Sequence, residues 1–334
     1  MRLVRLRAPA GLENLELVEE EPPKPRPGEV LVRIRASSLN FHDDMVVLGK
    51  IRSADGRVPL TDGAGEVIAV GESVDELKVA DIVVSTFWPY WLSGEMTPTI
   101  KREIPGDTAD GYASEYVCKP AHFFTKAPPG YTPVQAATLP CAGVTAWRSL
   151  VTLGHVKPGD TVLILGTGGV SLFALQFAKA AGARVIATSS SDEKLEKVKR
   201  LGADDIINYK SVPEWGRKAK GLTDGRGVDH VIEVGGPATL MQSIAACRTG
   251  GHIAIIGVLT GFAAEVPIPA LFANQIRTTG ISVGNRADQE DMIRAITVNR
   301  LHPLIDRSFP LQEIIAAFRY YESQKHFGKV CLEL

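Results

Sequence analysis

The feature that most constrains the fold is a short glycine-rich segment, GTGGVS, at residues 166–171. The apolar run VLIL precedes it, and the helical pattern LFALQFAKAAGA follows it. A buried strand, a tight glycine turn and the start of a helix commonly bind a dinucleotide, because the free N–H groups of the helix face the pyrophosphate. The usual fingerprint is G-x-G-x-x-G, whereas this segment ends in serine. It predicts a dinucleotide site, and a glycine turn that binds no nucleotide is the alternative.

Each position of this turn has a separate physical task. A glycine at position 166 permits the tight turn after the strand, and a glycine at position 168 lets the backbone approach the pyrophosphate. The serine at position 171 is one hydroxymethyl group larger than the usual glycine, and its hydroxyl is a candidate donor to a phosphate oxygen. The residues expected to contact the cofactor here are Gly166, Gly168, Gly169, Val170 and Ser171.

Strand and helix patterns alternate around and after this turn. The apolar runs TVLILG, RVIATS, HVIEVGG and HIAIIG predict strands, and SLFALQFAKAAG, SDEKLEKVKRLG and PATLMQSIAACRTGG predict the helices between them. This alternation predicts an α/β fold with a doubly wound parallel sheet. The first third of the chain predicts β structure instead, because VLVRIRASSLN alternates, with Val30, Val32, Ile34 and Ala36 on one face.

Length and composition exclude several classes of protein. A chain of 334 residues is long for one core and favours two domains. A net charge of −1 favours neither nucleic acid nor an anionic membrane surface as a partner, and no window approaches the roughly 18 apolar residues of a membrane span. The four cysteines form no C-x-x-C pair, and the start shows no signal-peptide pattern. We expect a cytoplasmic protein that acts on a small molecule.

The tip of the second strand in this series predicts which nicotinamide cofactor is bound. NAD sites usually place a carboxylate about 20 residues after the turn, where it accepts from the ribose hydroxyls. Here the strand ends in RVIATSSSDEK, so Ser189 and Ser190 lie at the tip, and Asp192 and Glu193 follow in a helix. Glu193 is expected to form a capping box with Ser190. Serine hydroxyls favour a 2′-phosphate, and Lys194 adds a positive charge; a solvated helix lysine is the alternative interpretation.

Motifs spread over nearly the whole chain resemble one known family. They include GEVLVRIRASSLN, DGAGEVIAVG, LKVADIVV, YASEYV, AATLPCAGVTAW, the segment from VKPGDTVLILG to GADDIINY, GRGVDHVIEVGG and HFGKVCLEL. Together they resemble the medium-chain dehydrogenase/reductases, and in particular the zinc-free, quinone-oxidoreductase-like branch that is often labelled zinc-type alcohol dehydrogenase-like. The resemblance implies a GroES-like, β-rich catalytic domain of residues 1–122 and 285–334 and a Rossmann NADP-binding domain of residues 123–284.

The resemblance also implies cofactor-binding residues outside the glycine turn. In NADPH-using quinone reductases of the family, a lysine in the helix after the second strand and a tyrosine fifteen residues later bracket the 2′-phosphate, and Lys194 and Tyr209 have that spacing. Matching family positions add one residue near the nicotinamide, three along the dinucleotide and two in a later loop. They are Thr145, then Val234, Gly235 and Val258, then Val283 and Gly284. The expected cofactor is NADP(H).

The resemblance raises the question of a catalytic zinc. Zinc-dependent relatives hold the metal with three protein ligands, and the matching positions here are Asn40, Thr61 and Cys141. Of these only the cysteine is of ligand type, and one thiolate does not hold a catalytic zinc, so we predict no bound metal. His42 and Asp43 with Cys141 are an alternative ligand set; a hydrogen-bonded histidine and a buried thiol are the simpler interpretation.

Without zinc to polarise a carbonyl, reduction of an electron-poor acceptor remains accessible, because the hydride comes from the cofactor. We predict an NADPH-dependent oxidoreductase that acts on quinones or α,β-unsaturated carbonyls. Asn40 is the expected donor to the acceptor oxygen, and Asp43 is expected to hold that loop or to relay a proton. A metal-free alcohol or aldehyde dehydrogenase-reductase and a non-catalytic NADPH-binding protein are the alternatives.

Two further segments have interpretations of their own. Residues 88–110 predict a long loop, whose side chains Trp88, Tyr90 and Trp91 are candidates either for an apolar lid or for core residues. The segment IRTTGISVG resembles the edge strand that pairs across a dimer in relatives, so a homodimer is expected.

Overall fold

The computed structural model describes residues 1–100 and 103–334. Lys101 and Arg102, which belong to the predicted loop of residues 88–110, lie outside the described residues. The chain divides into two compact units. The first is Met1–Val144 together with Val283–Leu334, and the second is Thr145–Ser282. The first unit therefore contains both ends of the chain, as the resemblance implied.

This division differs from the predicted boundary between residues 122 and 123. The strand Phe124–Lys126 pairs with the strand Ile82–Ser85, and the short helix Pro133–Ala136 contacts strands of the same sheet. Both segments bury apolar side chains in the first unit, so that unit extends to Val144. At the other end the first unit resumes at Val283, two residues before the predicted position 285.

The first unit is built on a seven-stranded sheet and a separate two-stranded sheet, with strands and helices numbered along the whole chain. The two-stranded sheet pairs β1 (Arg2–Leu6) with β2 (Leu15–Glu19). The larger sheet contains β3 (Glu29–Ser38), β4 (Ala64–Val70), β5 (Ile82–Ser85), β6 (Tyr116–Pro120), β7 (Phe124–Lys126), β14 (Ile305–Pro310) and β15 (Lys329–Glu333). Its order is β14-β15-β3-β4-β5-β7, with β6 paired to β3.

The pairing in this sheet is antiparallel except between β14 and β15. The predicted inward face of β3 is confirmed, because Val30, Val32, Ile34 and Ala36 are each at most 1% exposed. The helices of the first unit are α1 (Phe41–Val47), α2 (Pro133–Ala136), α9 (Arg286–Asn299) and α10 (Ile314–Glu322). After α2 the chain winds as a π-helical turn, Leu139–Gly143, which includes Pro140. The short helix α3 (Val144–Trp147) contains the boundary between the units.

The second unit has one six-stranded sheet in which every pair is parallel. Its strands are β8 (Thr161–Leu165), β9 (Arg184–Ser189), β10 (Asp205–Asn208), β11 (Val228–Glu233), β12 (Cys247–Ile255) and β13 (Arg277–Gly280). The order is β10-β9-β8-β11-β12-β13. Counted within the unit this is 3-2-1-4-5-6, the order of a Rossmann fold, so the predicted α/β class is confirmed.

Five helices of the second unit connect these strands. They are α4 (Gly169–Ala180), α5 (Asp192–Arg200), α6 (Trp215–Gly221), α7 (Pro237–Ala246) and α8 (Ile268–Phe272). In such a sheet ligands bind beyond the carboxyl ends of the strands, where the strand order reverses. That reversal lies beside β8, which leads directly into the glycine turn.

Two chain-wide properties complete the fold. All four cysteines are free thiols. Among the described residues there is no helix whose length and apolar character would let it cross a membrane.

Candidate functional site

The glycine turn follows β8 directly. Gly166 has a φ of +71°, a left-handed conformation that glycine adopts without strain. Its N–H donates to the carbonyl of Thr188 at 2.9 Å, which ties the turn to the neighbouring strand β9. The backbone of this turn therefore requires a glycine at position 166.

The next part of the turn offers room for an anion. Gly168 precedes α4, and a Cβ built on it would meet no atom within 4 Å. Gly169 and Val170 begin the helix, so their N–H groups are among those that have no partner inside it. Open space beside the positive end of a twelve-residue helix fits a pyrophosphate. The residues present therefore suit the predicted dinucleotide.

The serine that ends the motif is occupied elsewhere. Ser171 is 1% exposed, and its hydroxyl donates to the carbonyl of Leu165 at 2.7 Å. The suggestion that this hydroxyl donates to a phosphate is therefore wrong, because its hydrogen is used to join α4 to the end of β8. Serine thus fills the position of the third glycine and adds a hydrogen bond between helix and strand.

The tip of β9 gathers the residues predicted to select the nucleotide. Ser189 is buried, Ser190 is half-buried, and the N–H of Tyr209 donates to the Ser189 carbonyl at 3.1 Å because β10 lies beside β9. Lys194 is half-buried in the first turn of α5, and Tyr209 is 41% exposed. The predicted capping box of Ser190 and Glu193 is wrong, since Ser191 caps α5 by accepting from the N–H of Lys194 at 3.3 Å, and the lysine side chain has no acceptor to close a box.

A buried carboxylate that the sequence analysis missed organises the loop after β11. Glu233 is 0% exposed, and its Oε1 accepts from the N–H groups of Gly235 and Gly236 at 2.8 and 2.9 Å and from the Thr239 hydroxyl at 2.6 Å. Its Oε2 accepts from the Ser243 hydroxyl. An acidic residue at the end of an apolar strand, directly before V-G-G, is the sequence signal for this role.

The loops after β11 and β12 are held together at the predicted dinucleotide positions. A Cβ on Gly257 would lie 1.9 Å from the Val234 carbonyl oxygen, so only glycine allows this approach. The hydroxyl of Thr260 donates to the Gly235 carbonyl at 2.9 Å. Val234, Gly235 and Val258 are thereby brought into one region of the second unit.

Three remaining predicted residues lie at the unit boundaries. Thr145 is 3% exposed, begins the second unit, and accepts through its carbonyl from the Ser149 hydroxyl at 2.7 Å. Val283 and Gly284 resume the first unit, and Val283 has a φ of +59°. This left-handed conformation is strained for a β-branched residue and is typical of functional sites. The chain directly after it is fixed by Asn285, which caps α9 by accepting from the Asp288 N–H at 2.7 Å.

The predicted catalytic residues belong to a buried polar cluster in the first unit. Asn40 caps α1, and its N–H donates to Asp43 Oδ2 at 2.9 Å. Asp43 Oδ1 accepts from the Thr61 N–H at 2.8 Å. Asn40, Asp43 and Thr61 are 6%, 2% and 0% exposed. Asp43 thus holds the start of α1 against the segment that follows Pro59–Leu60, which agrees with its predicted role as a support.

Asp62 lies at the centre of this cluster. Its Oδ2 accepts from the Ser38 hydroxyl at 2.7 Å and from Asn40 Nδ2 at 2.8 Å, and its Oδ1 accepts from the Cys141 N–H at 3.2 Å. The ammonium of Lys329 is 3.9 Å from Oδ2. Neither Asp62 nor Lys329 was singled out in the sequence, because the cluster joins residues that are far apart in the chain.

Burial dominates the protonation of this cluster. It raises the pKa of Asp62 to about 6, although the Lys329 ammonium opposes the shift. It also raises the pKa of Asp43, and it raises the pKa of the Cys141 thiol well above its usual range. The Cys141 thiol is therefore a poor source of thiolate at neutral pH.

The three positions that match zinc ligands do come together, but their donors do not fit zinc. Asn40 Nδ2 is 3.3 Å from Thr61 Oγ1, and Cys141 adjoins Asp62. An amide and a hydroxyl replace two of the three ligands, and the Lys329 ammonium is bonded to that amide. No group of three or more His, Cys, Asp or Glu residues in the described ranges is arranged to hold a metal ion.

The alternative ligand His42 has a different environment. Its Nε2 is 3.3 Å from Asp107 Oδ2, and its ring meets Phe87 edge-on at 5.5 Å. His42 lies on helix α1 rather than on a loop. These contacts favour a packed histidine paired with a carboxylate.

The aromatic residues of the predicted loop, residues 88–110, are mostly buried. Trp88 and Trp91 are 6% and 3% exposed, and Trp91 Nε1 donates to the Gly94 carbonyl at 3.0 Å. The ring of Tyr90 packs against Phe123 at 5.3 Å. Among its described residues the predicted loop contains no helix or strand. Core packing is the interpretation that these contacts favour for the two tryptophans.

A glycine turn on a parallel sheet of order 3-2-1-4-5-6, in a chain whose other unit is mainly antiparallel β, is the architecture of dinucleotide-binding dehydrogenases. Residues 169–298 match the family model described as zinc-binding dehydrogenase, and residues 26–129 match the alcohol dehydrogenase GroES-like domain. A zinc-type alcohol dehydrogenase-like protein of Schizosaccharomyces pombe is 42% identical, over 97% of this chain and 96% of the relative. The chain belongs to the medium-chain dehydrogenase/reductase family and is an oxidoreductase of the zinc-type alcohol dehydrogenase-like kind.

Solved structures with this fold differ in their nucleotide. An NAD-dependent alcohol dehydrogenase has a TM-score of 0.91 at 33% identity, with 100% of both chains covered. A mycobacterial protein in complex with NADPH has a TM-score of 0.83 at 27% identity, also with 100% of both chains covered. The neighbours therefore include proteins of both nicotinamide cofactors.

The open space at Gly168 generates a direct prediction. Gly168→Val should abolish NADPH binding, because a β-branched side chain occupies the space that the pyrophosphate needs. Ser171→Gly should still bind, although it should lose about 1–2 kcal/mol of unfolding free energy with its hydrogen bond and its helix propensity. Fluorescence titration with NADPH and urea unfolding measure the two effects.

Gly221→Val is the matched control, because a Cβ at Gly221 in α6 also meets nothing within 4 Å. It should bind NADPH like the wild type. Wild-type affinity in Gly168→Val would show that the pyrophosphate lies elsewhere.

Proposed function

We propose that the protein is an NADPH-dependent oxidoreductase that transfers hydride, without zinc, to an electron-poor acceptor such as a quinone or an α,β-unsaturated carbonyl. The observation that carries the proposal is the donor set at the three matched ligand positions, which are an amide, a hydroxyl and a thiol, with a lysine ammonium bonded to the amide oxygen. Without a Lewis acid, oxidation of an alcohol loses its main source of polarisation. Reduction of an activated acceptor relies on the cofactor for its chemistry and on the protein for orientation.

Asn40 is the proposed donor to the acceptor oxygen. One of its amide hydrogens is bound to Asp62 at 2.8 Å, whereas the other has only the distant acceptors Thr61 Oγ1 at 3.3 Å and the Ser38 carbonyl at 3.4 Å. A weakly bound N–H is the one that a substrate oxygen can recruit at little cost. Asp43 supports this arrangement through its bonds to the backbone of Asn40 and Thr61.

The preference for NADPH rests on the tip of β9. Ser189 and Ser190 supply hydroxyls, Tyr209 is bound beside them through its backbone, and Lys194 begins the neighbouring helix. Asp192, the first residue of that helix, accepts from the side chain of Asn208 at 2.7 Å, and Glu193 pairs with Lys197 at 2.7 Å. A tip that offers hydroxyls and an ammonium suits a dianionic 2′-phosphate better than a ribose hydroxyl.

A spectroscopic screen tests the proposed reaction. The oxidation of NADPH should be fast with quinones or enones and slow with simple aldehydes, while alcohols should not reduce NADP⁺. Elemental analysis of the same preparation should find no stoichiometric zinc, and EDTA should leave the rate unchanged.

Three results of the screen would contradict the proposal in different ways. Turnover limited to aldehydes or alcohols would indicate the metal-free alcohol or aldehyde enzyme. Tight NADPH binding without turnover would indicate a binding protein. One firmly held zinc per chain, with loss of activity on chelation, would show that the cluster does bind the metal.

Lys194 should account for much of the discrimination between the two cofactors. Lys194→Ala should weaken NADPH about ten- to a hundredfold, since a charge-assisted hydrogen bond is worth roughly 1.5–3 kcal/mol. NADH, which lacks the 2′-phosphate, should be nearly unaffected, and the loss for NADPH should shrink as salt screens the partly exposed contact. Calorimetric titration of both cofactors measures the difference.

Lys197→Ala is the control on the same helix, because Lys197 forms an ion pair with Glu193 at 2.7 Å. It should change neither affinity by more than about twofold, as expected for an exposed ion pair. Equal losses of NADH and NADPH in Lys194→Ala would mean that this lysine only supports the helix.

We also propose a cytoplasmic homodimer. Within the described part of the chain β13 is the last strand of its sheet and pairs only with β12, so one of its edges is open to another strand. Exposed apolar side chains precede it in the chain, namely Leu259, Phe262, Ile268 and Phe272, which are 51–76% exposed. An edge strand beside an apolar patch suits a second copy related by a two-fold axis. The free thiols fit a reducing compartment.

Light scattering tests the dimer. The wild type should have twice the chain mass of 35.9 kDa, and Phe272→Asp should shift the protein toward the monomer because it places a charge in the apolar patch. Val298→Asp, at an 81% exposed position on α9, should leave the mass unchanged. A wild-type mass of one chain would contradict the proposal.

A further inference from the structure

Lys329 is a buried lysine whose ammonium contacts the polar cluster. It is 4% exposed, and its Nζ donates to the Leu39 carbonyl at 2.7 Å and to Asn40 Oδ1 at 2.6 Å. Its third contact is Asp62 Oδ2 at 3.9 Å. A lysine is rarely buried unless it is paired, so these contacts have to compensate for the loss of its hydration.

The pairing of β15 with β3 brings this lysine to Asn40. Cys331 lies opposite Ser38 and Leu332 opposite Ser37 in an antiparallel register. Two residues back from Cys331, Lys329 therefore falls beside Asn40, although 289 residues separate them in the chain. A backbone hydrogen bond confirms that these two segments lie side by side, because the Leu39 N–H donates to the Val330 carbonyl at 2.9 Å.

Lys329 fixes which way the Asn40 amide points. An ammonium has donors only, so the atom of the amide that faces it must be the carbonyl oxygen. The Nδ2 group is then directed toward the Asp62 carboxylate, which accepts from it at 2.8 Å. A cation on the amide oxygen and an anion on one amide hydrogen polarise the group, and hydrogen bonds in such a chain strengthen one another.

We propose that Lys329 is a positioning residue, which orients and polarises the Asn40 amide so that its second hydrogen serves as the donor to the hydride acceptor. It thereby places a buried positive charge beside Asn40, one of the three positions that match zinc ligands of relatives. This proposal rests on the proposed function of Asn40. The competing explanation is purely structural, namely that Lys329 only compensates the buried charge of Asp62.

A pair of variants separates these explanations. Lys329→Met removes the charge at similar length and leaves Asp62 without its cation, so both stability and turnover should fall. Lys329→Met/Asp62→Asn removes both charges, and the amide at position 62 can face either end of the Asn40 amide. The double variant should recover most of the wild-type stability in urea unfolding.

The kcat of the double variant distinguishes the positioning role from the structural role. Positioning predicts that the double variant keeps a kcat about ten- to a hundredfold below that of the wild type, the range expected for loss of a hydrogen bond to a charged group. Its dissociation constant for NADPH should stay within about twofold of the wild-type value, the scatter expected where no contact is lost. If stability and kcat recover together, Lys329 is only a structural counter-ion. A loss of NADPH affinity without a loss of kcat would place Lys329 in cofactor binding and would also overturn the proposal.

A control variant and a crystal structure of the double variant complete the test of Lys329. Lys126→Met removes an exposed ion pair of the same unit, with Asp81 at 3.0 Å, and should leave kcat unchanged. A crystal structure of Lys329→Met/Asp62→Asn should show the Asn40 side chain rotated from its wild-type orientation, whereas an unchanged amide would contradict the proposal. This crystal structure tests the orientation of Asn40 even if the wild type turns over no acceptor. A lack of turnover would refute the proposed function itself, and the test of the Asn40 orientation would still stand.

Discussion

The antiparallel pairing of β15 with the end of β3 is the contact on which the polar cluster depends. It joins the last strand of the chain to the strand that leads into α1, and it places Lys329 beside Asn40. Once the ammonium is there, Asp62 has a cation within 3.9 Å, and the Asn40 amide has only one favourable orientation. The cluster is thus an ordered, low-dielectric arrangement of charges, in which each group limits the positions of the others.

The second unit has a different task, which is to hold the dianionic pyrophosphate of a dinucleotide close to the backbone. Gly166 supplies the turn, Gly168 leaves space for an anion, and Ser171 joins the helix to its strand. The neighbouring loops depend on Glu233, a buried carboxylate whose charge is balanced by backbone N–H groups and hydroxyls. The acceptor atoms of Glu233 are therefore directed at the loop after β11.

Much of this arrangement is predictable from the sequence, because it depends on local patterns. The alternation of β3 and the apolar runs of β8, β9, β11 and β12 are determined by which faces are buried. Other features depend on tertiary contacts that no local pattern encodes. The strand β10 is only four residues long, Ser171 donates to a carbonyl six residues earlier, and the first unit extends to Val144 because β7 pairs with β5. Lys329 is the clearest example, because the pairing of β15 with β3, two strands far apart in the sequence, brings it to Asn40.

The central claim is that hydride leaves the nicotinamide in a protein whose polar cluster contains a lysine ammonium and no metal ligand set. Single-turnover oxidation of NADPH by the active acceptor, in EDTA-treated protein shown to be free of zinc, tests it most directly. NADPH carrying deuterium at the 4R or the 4S position of the nicotinamide should be used in separate experiments. The account predicts that one of these two labels slows the reaction and that added zinc does not change the rate. Equal rates with both labels and with unlabelled cofactor, or turnover that appears only when zinc is added, would contradict it.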